Sequence, residues 1–358
     1  MTFSTVTTTP QPVDPSKHVN FTRGMVLGVG DFEQEFAYHA GRDQLLARDL
    51  VGAGTVRGLA VSISSDNTEI VVAPGVALTP QGEFVRVPAA QCAIVKDWVA
   101  ANGAAVATAL GGPTGTITLH VILRYKPLLT DPVPIPGEPC RSEADATAPS
   151  RVADCWQLDL SLTPPAPTEA PGMRAILKWL AAVPVVSGAG TATVGSLVAA
   201  LMATFGPGVI TTPASTYAPP PATLTFGAAS VATMYRAATQ LYVTDLRDAI
   251  AESPLGDAPG ATSADPVPAE TGILLGVVQV PVANVATPSG PVWQFPSPPL
   301  VDTTPTRPFL LPLSLLQEAW LAGGAIAGGA AAGGACASGQ PASPVAGACA
   351  GALASKVT

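Results

Sequence analysis

Charge is scarce in this chain. Only 12% of its 358 residues are Asp, Glu, Lys or Arg, and the 17 basic ones are scattered rather than clustered. A nucleic-acid surface needs a basic stripe to neutralise phosphates, so a net charge of −8 without such a stripe disfavours nucleic acid as a partner. Aromatic residues are few as well, at 5%. The five cysteines are an odd number with no C-x-x-C pair, which argues against a small disulfide framework. Cys140 and Cys155 could close one loop, while Cys336 and Cys349 lie near the C-terminal end. His18, His39 and His120 are far apart, so a zinc site would need the fold to gather distant ligands. The N-terminal run MTFSTVTTTPQPVDP has neither a basic start nor an apolar stretch, and a protein made in the cytoplasm without a signal peptide is expected. There is no G-x-S-x-G elbow, no H-E-x-x-H, no Walker loop and no repeat of fixed period. The expectation is a non-enzyme with no catalytic, cofactor-binding or metal-ligating residue.

What the chain does have is 35 glycines and 38 prolines alongside 47% hydrophobic residues. That is ample for a core but rich in chain breakers, which predicts an α+β fold of short, mostly antiparallel strands, several helices and long Pro-rich loops. Four regions are expected: an extended arm over residues 1–20, a helix-plus-strand module with a long Pro-rich loop over 21–165, a helical and Pro-rich region returning to a strand over 166–318, and a Gly/Ala-rich tail over 319–358. Extended arms of this kind often lie on a neighbour.

Gly24 to Pro88 is the densest stretch and reads as one compact module. Asp31 is placed as the N-cap of a helix, with Gln34 three residues on as in a capping box and Glu33 and Glu35 where the helix dipole favours negative charge. Phe32, Phe36, Ala40, Leu46 and Leu50 form one apolar stripe, predicted for burial, and the helix should stop near Gly52 and Gly54. Leu59, Val61 and Ile63 predict a half-buried strand, and Pro80-Gln81-Gly82 a turn before another at Glu83–Val87. A short helix is predicted over Gln91–Ala101 and a central strand over Thr116–Tyr125. Lys126 to Cys155 is read as a long structureless loop before the strand WQLDLSL. Helices are predicted over Gly172–Ala182, Ala192–Phe205 and Ser230–Glu252, the last burying Met234, Ala238, Leu241, Leu246 and Ile250. Thr271–Val282 reads as a buried strand and Pro312–Leu321 as a short helix. From Ala319 to Ser355 no residue is charged; a loosely packed tail is favoured over a membrane contact because so much glycine weakens a helix.

Three constellations invite a chemical reading. The run GAGTVRG at Gly52 has the spacing G-x-G-x-x-x-G and follows a helix, whereas a phosphate cradle needs glycines that open one. Asp31, Glu33 and Glu35 form a carboxylate cluster, and His39 with Asp43 has the i, i+4 spacing of an acid-base or ligand pair; helix-start acids and a packed histidine are the favoured meaning. The Asp131–Arg141 run, DPVPIPGEPCR, should be extended and stiff, suited equally to docking in a groove and to an ordinary surface loop. Tyr217, Trp293 and Trp320 are the aromatics available to a glycan-reading surface.

Four blocks carry a resemblance: GMVLGVGDFEQEFAYHAGRDQLLARDLVGAGTVRGLAVSI, IVVAPGVALTPQGEFVRVP, DPVPIPGEPCRSEADATAPSRVADCWQLDL and RPFLLPLSLLQEAWL. In this order they resemble a family of bacterial proteins associated with phage-tail-like contractile injection systems, and are similar to the attachment modules of phage baseplate and tail-fibre proteins. The resemblance implies a structural role in or near such a particle, contacts with other particle proteins and with copies of itself, with a trimer suggested by the symmetry of tails, and an extracellular location after lysis. It implies no catalytic residue. A receptor- or glycan-binding surface module on such a particle is the alternative.

Overall fold

The computed structural model describes residues 13–134, 147–165, 169–206, 217–247, 272–287, 290–302 and 307–321. Among them are seven α-helices and thirteen strands, gathered in small and mostly antiparallel sheets, an α+β fold. The chain forms two units: one to Pro312, and a second from Leu313 that begins with a short helix over Leu313–Leu321.

The first unit opens with α1 (Val29–Leu46), which runs into a single π-helical turn over Ala47–Val51 and stops at Gly52. Six short strands follow and sort into two sheets. β1 (Gly54–Gly58), β4 (Gly75–Leu78) and β5 (Phe84–Val87) form one; β2 (Val61–Ile63), β3 (Glu69–Val72) and β6 (Gln91–Ile94) form the other. The helix predicted from Gln91 therefore begins later: its first four residues pair with β3, and α2 occupies Val95–Ala101, followed by α3 (Gly103–Leu110). Cys92 and Ala93 sit opposite β-branched Val71 and Ile70, so edge pairing overrides helical propensity there.

The largest sheet has the order β12-β11-β7-β8, with β13 (Leu300–Asp302) also pairing with β11. β7 spans Thr114–Pro134, β8 Thr147–Ser161, β11 Ile273–Thr287 and β12 Gly290–Gln294. The central strand predicted at Thr116–Tyr125 is thus interior, and the apolar stretch after Gly272 packs beside it, with Val278 opposite Leu119. Leu59, Ile70, Val85, Val121, Leu123, Val278 and Val280 all belong to the resulting core.

The predicted long loop after Tyr125 is a correction. Lys126–Pro134 pairs antiparallel with Thr147–Cys155, giving a two-stranded ribbon that extends the β7–β8 pair beyond the part of β7 held by β11. Proline density made this stretch look irregular, but a ribbon with two free edges tolerates residues that cannot donate. Pro132 faces Pro149 directly, and at Asp131, left-handed with φ 53°, the carbonyl accepts the Ser150 hydroxyl at 2.7 Å. Most of the DPVPIPGEPCR run, Cys140 included, lies outside the described residues.

A second core is helical. α4 (Glu169–Ala181), α5 (Val194–Phe205) and α6 (Val231–Leu241) bury Ile176, Trp179, Leu197, Leu201, Phe205, Met234 and Ala238 together. Met234, Ala238, Leu241 and Leu246 are buried as the period predicts, with Leu246 on a π-helical turn that continues α6; Ile250 lies outside the described residues. Thr193 caps α5, its hydroxyl accepting the Ser196 amide at 3.1 Å. Among the described residues no helix is long and apolar enough to cross a membrane; the tail from residue 322 lies outside them.

Candidate functional site

Residues singled out by the sequence gather on α1, where Asp31, Gln34, Glu35 and His39 each make a structural contact. The helix begins two residues before Asp31, so Gly28 is the N-cap and Asp31 is the third helical residue. The Asp31 carboxylate reaches back to accept the Gly28 amide at 2.8 Å, the reciprocal half of the capping box that had been assigned to Gln34. Gln34 instead binds the arm: its side-chain oxygen accepts the Asp14 amide at 3.0 Å and its amide donates to the carbonyls of Asp14 and Lys17. Glu35 accepts the Val19 amide at 2.9 Å with one oxygen and contacts His39 Nε2 at 3.0 Å with the other. The Val19 bond, more than His39, holds its carboxyl below the usual glutamate range. Glu33 is exposed.

Residues 13–19 therefore lie on the chain's own helix. Val19 is buried, Pro15 touches the backbone side of Gly41, and the His18 ring packs 5.1 Å from the Tyr38 ring. Asp14 closes the turn that makes this possible, pairing with Lys17 at 2.8 Å and accepting from Ser16; the Lys17 bond first and the Ser16 bonds second lower its pKa to about 2. Residues 1–12 lie outside the described part.

The other side of α1 overturns the predicted burial. α1 contributes no buried residue; Phe32, Phe36, Leu46 and Leu50 are exposed, Phe36 by 74% and Leu50 by 78%. The helix is held from behind instead, by the arm and by Gly82, whose Cα approaches the Gln44 carbonyl so closely that a Cβ would collide with it. The π turn is tied down by Arg247, which donates to the Asp49 carbonyl at 2.8 Å. A helix with one satisfied face and one open apolar face presents a docking surface.

The β7–β8 ribbon is a second open apolar feature. Leu128, Leu129, Val133 and Val152 are all exposed on it, although an isolated two-stranded ribbon is marginal in water without cover. At its base Tyr125 donates to Asp154 at 2.7 Å; burial first, and the neighbouring carboxylate second, push the phenol pKa up. Glu83 stands close to this pair with its carboxyl pKa raised by burial.

The remaining candidates are packed. GAGTVRG is the helix stop and β1, and a segment from the far end of the unit lies beside it: Thr55 N donates to Pro308 O and Leu310 N to Thr55 O, both at 2.9 Å. Gly54, at φ 152°, is required there, since a Cβ would sit 2.9 Å from backbone atoms of Pro308 and Phe309. Arg307 completes this latch with bonds to Thr55, Gly58 and Leu59, a contact with no signal in the sequence beyond an arginine before a proline. Tyr217 stacks 4.6 Å from Phe205 in the helical core and Trp293 packs on the sheet core, so these two aromatics serve different cores; the side chain of Trp320 lies outside the described residues. His120 contacts the Ser161 carbonyl at 3.2 Å, apart from the other histidines. Cys155 is a free thiol on β8, and Cys336 and Cys349 lie outside the described residues. Among the described residues no three His, Cys, Asp or Glu side chains gather as a metal site.

No protein-family model matches the chain, and no curated protein sequence matches it.

Proposed function

We propose that the protein is a non-enzymatic structural component of a phage-tail-like, contractile-injection-system particle: a baseplate, fibre or other attachment protein that works through its surfaces. The observation that carries this reading is the pair of open apolar features, the outer face of α1 and the β7–β8 ribbon. α1 is held by its own chain on one side and open on the other, and the ribbon projects beyond the sheet with its apolar side chains uncovered, as expected of parts that meet neighbours in an assembly. The first block of the resemblance contains α1 and the third contains part of the ribbon, and the first and last blocks meet at the Thr55 latch. The test is to isolate tail-like particles from cells that make the protein and identify their subunits by mass spectrometry. The reading expects the protein in stoichiometric amounts, lost when Phe36 and Leu129 are both replaced by Glu. Particles that form and inject normally in a deletion strain, and that lack the protein in the wild type, would overturn it.

A further inference from the structure

The exposed face of α1 has a regular period. Val29, Phe32, Phe36, His39, Asp43 and Leu46, with Leu50 on the π-helical turn that continues the helix, follow one another at alternating steps of three and four residues, the a/d spacing of a helix–helix seam. Among the described residues the helix meets its own chain off this seam: Gln34 and Gly41 lie on the opposite side with Tyr38 next to them, and Glu35, which holds the Val19 amide, flanks the seam. The open seam is apolar at both ends and polar in the middle, where exposed His39, its Nε2 3.0 Å from Glu35 on the same helix, and exposed Asp43 occupy two consecutive layers.

We propose that this seam pairs with the α1 of a second copy of the chain, antiparallel, about a two-fold axis near Gly41. The sequence is complementary to itself only in that direction. Antiparallel pairing sets Phe32 of one copy against Leu50 of the other and Phe36 against Leu46, while His39 faces Asp43 on both sides of the axis. Each layer matches a large ring with a smaller aliphatic side chain, or a base with an acid. A parallel pair or a parallel trimer would instead stack Asp43 on Asp43 within the seam, a like-charge contact that is costly there.

The flanks fit the same arrangement. On one side the two copies of Ala40 meet across the axis, small enough to let the helices approach. On the other the two copies of Arg42 meet, but each guanidinium is turned back along its own helix onto the Tyr38 ring, 5.5 Å from its centroid, with a bond to the phenol oxygen at 3.3 Å. Phe32 to Leu46 covers about 21 Å of α-helix, a small interface, so the association belongs in the micromolar range. This two-fold contact does not depend on the particle reading and is separate from any three-fold symmetry an assembly imposes.

The test uses the full chain in sedimentation equilibrium and cysteine cross-linking. A monomer–dimer equilibrium at tens of micromolar is expected, weakened about tenfold or more by Phe36→Glu and independently by Leu46→Asp. Neither side chain is buried, so both variants should keep the wild-type melting profile. His39→Asp should weaken the dimer by placing Asp against Asp, and mixing it with Asp43→His should restore pairing between unlike chains. Under mild oxidation Ala40→Cys should cross-link to its copy and His39→Cys should not, because only the antiparallel pair brings the two Ala40 positions together. Mixing Arg42→Glu with wild type should favour the mixed dimer. A strict monomer at these concentrations, a dimer indifferent to Phe36→Glu and Leu46→Asp, or cross-linking through His39→Cys in place of Ala40→Cys would overturn the proposal.

Discussion

Replacing Arg307 by Ala tests whether the Thr55 latch holds the sheet unit together. Its guanidinium donates to Thr55 Oγ1 at 2.9 Å, to the Leu59 carbonyl at 2.9 Å and to the Gly58 carbonyl at 2.7 Å. The last two belong to a turn in which Gly58 and Leu59 both have positive φ, an unfavourable conformation for the leucine, which is nonetheless fully buried. Burial lowers the guanidinium's pKa, but an arginine remains charged at neutral pH. Three charge-assisted bonds at a half-exposed site contribute about 1 kcal/mol each, so Arg307→Ala should cost about 3 kcal/mol and Arg307→Lys, which keeps one bond, about 2 kcal/mol. Denaturant unfolding would read the loss, and amide exchange would locate it. The Leu310 and Thr55 amides, each bonded across the latch, should exchange faster, while the Ala192 amide, bonded to Thr225 in the helical region, stays protected. An Arg307→Ala protein with an unchanged midpoint and unchanged Leu310 protection would refute the reasoning.

Gly54→Ala should destabilise by about 2 kcal/mol through contact with the Pro308–Phe309 backbone, and less in the Arg307→Ala background, since both act on one latch; additivity in denaturant melts would count against this. Glu83 has its carboxyl pKa raised by burial, with Thr79 opposing and Asp154 adding to the effect, so the folded state prefers the neutral acid. Its contribution is therefore most favourable below the ordinary glutamate pKa and declines as pH rises through the raised folded value. Glu83→Gln, which still accepts from Thr79, should match wild type near pH 3.5 and exceed it near pH 8, and equal melting differences at both would refute it. Leu201→Ala empties a fully buried position in the helical core and should cost about 3 kcal/mol in an equilibrium melt.

Regular periodicity made much of the architecture legible. β7 and β11 carry β-branched runs, and α5 and α6 carry apolar residues at helical spacing, so each starts within two residues of its expected place, although β7 runs nine residues further, to Pro134, and α6 gives way to a π-helical turn after Leu241. What escaped were features set by pairing between distant segments. Nothing local distinguishes Gln91–Ile94 as a strand until β3 lies alongside it, and the prolines of the β7–β8 ribbon conceal a register that only the partner strand reveals. The Arg307 latch joins residues about 250 positions apart and depends on a left-handed turn that no propensity favours.

The α1 stripe shows a different limit. Its period was read correctly and its burial was not, because amphipathicity records that a face prefers cover without saying which chain supplies it. The two cases leave different marks in the seam. A helix buried in its own chain meets several elements at varied angles, which favours a broad, irregular apolar face; a helix meeting another helix meets one rod, which favours a narrow repeat. In α1 the largest exposed side chains, Phe32, Phe36 and Leu46, keep to the narrow 3-4 repeat, apart from Leu45, and are interrupted by an acid and a base in adjacent layers. His39 already meets Glu35 on its own helix, but a core facing its own sheet would leave Asp43 without a partner, whereas an inverted copy of the same helix brings a His39 to it, so the polar centre favours the second copy more strongly than the phenylalanines do.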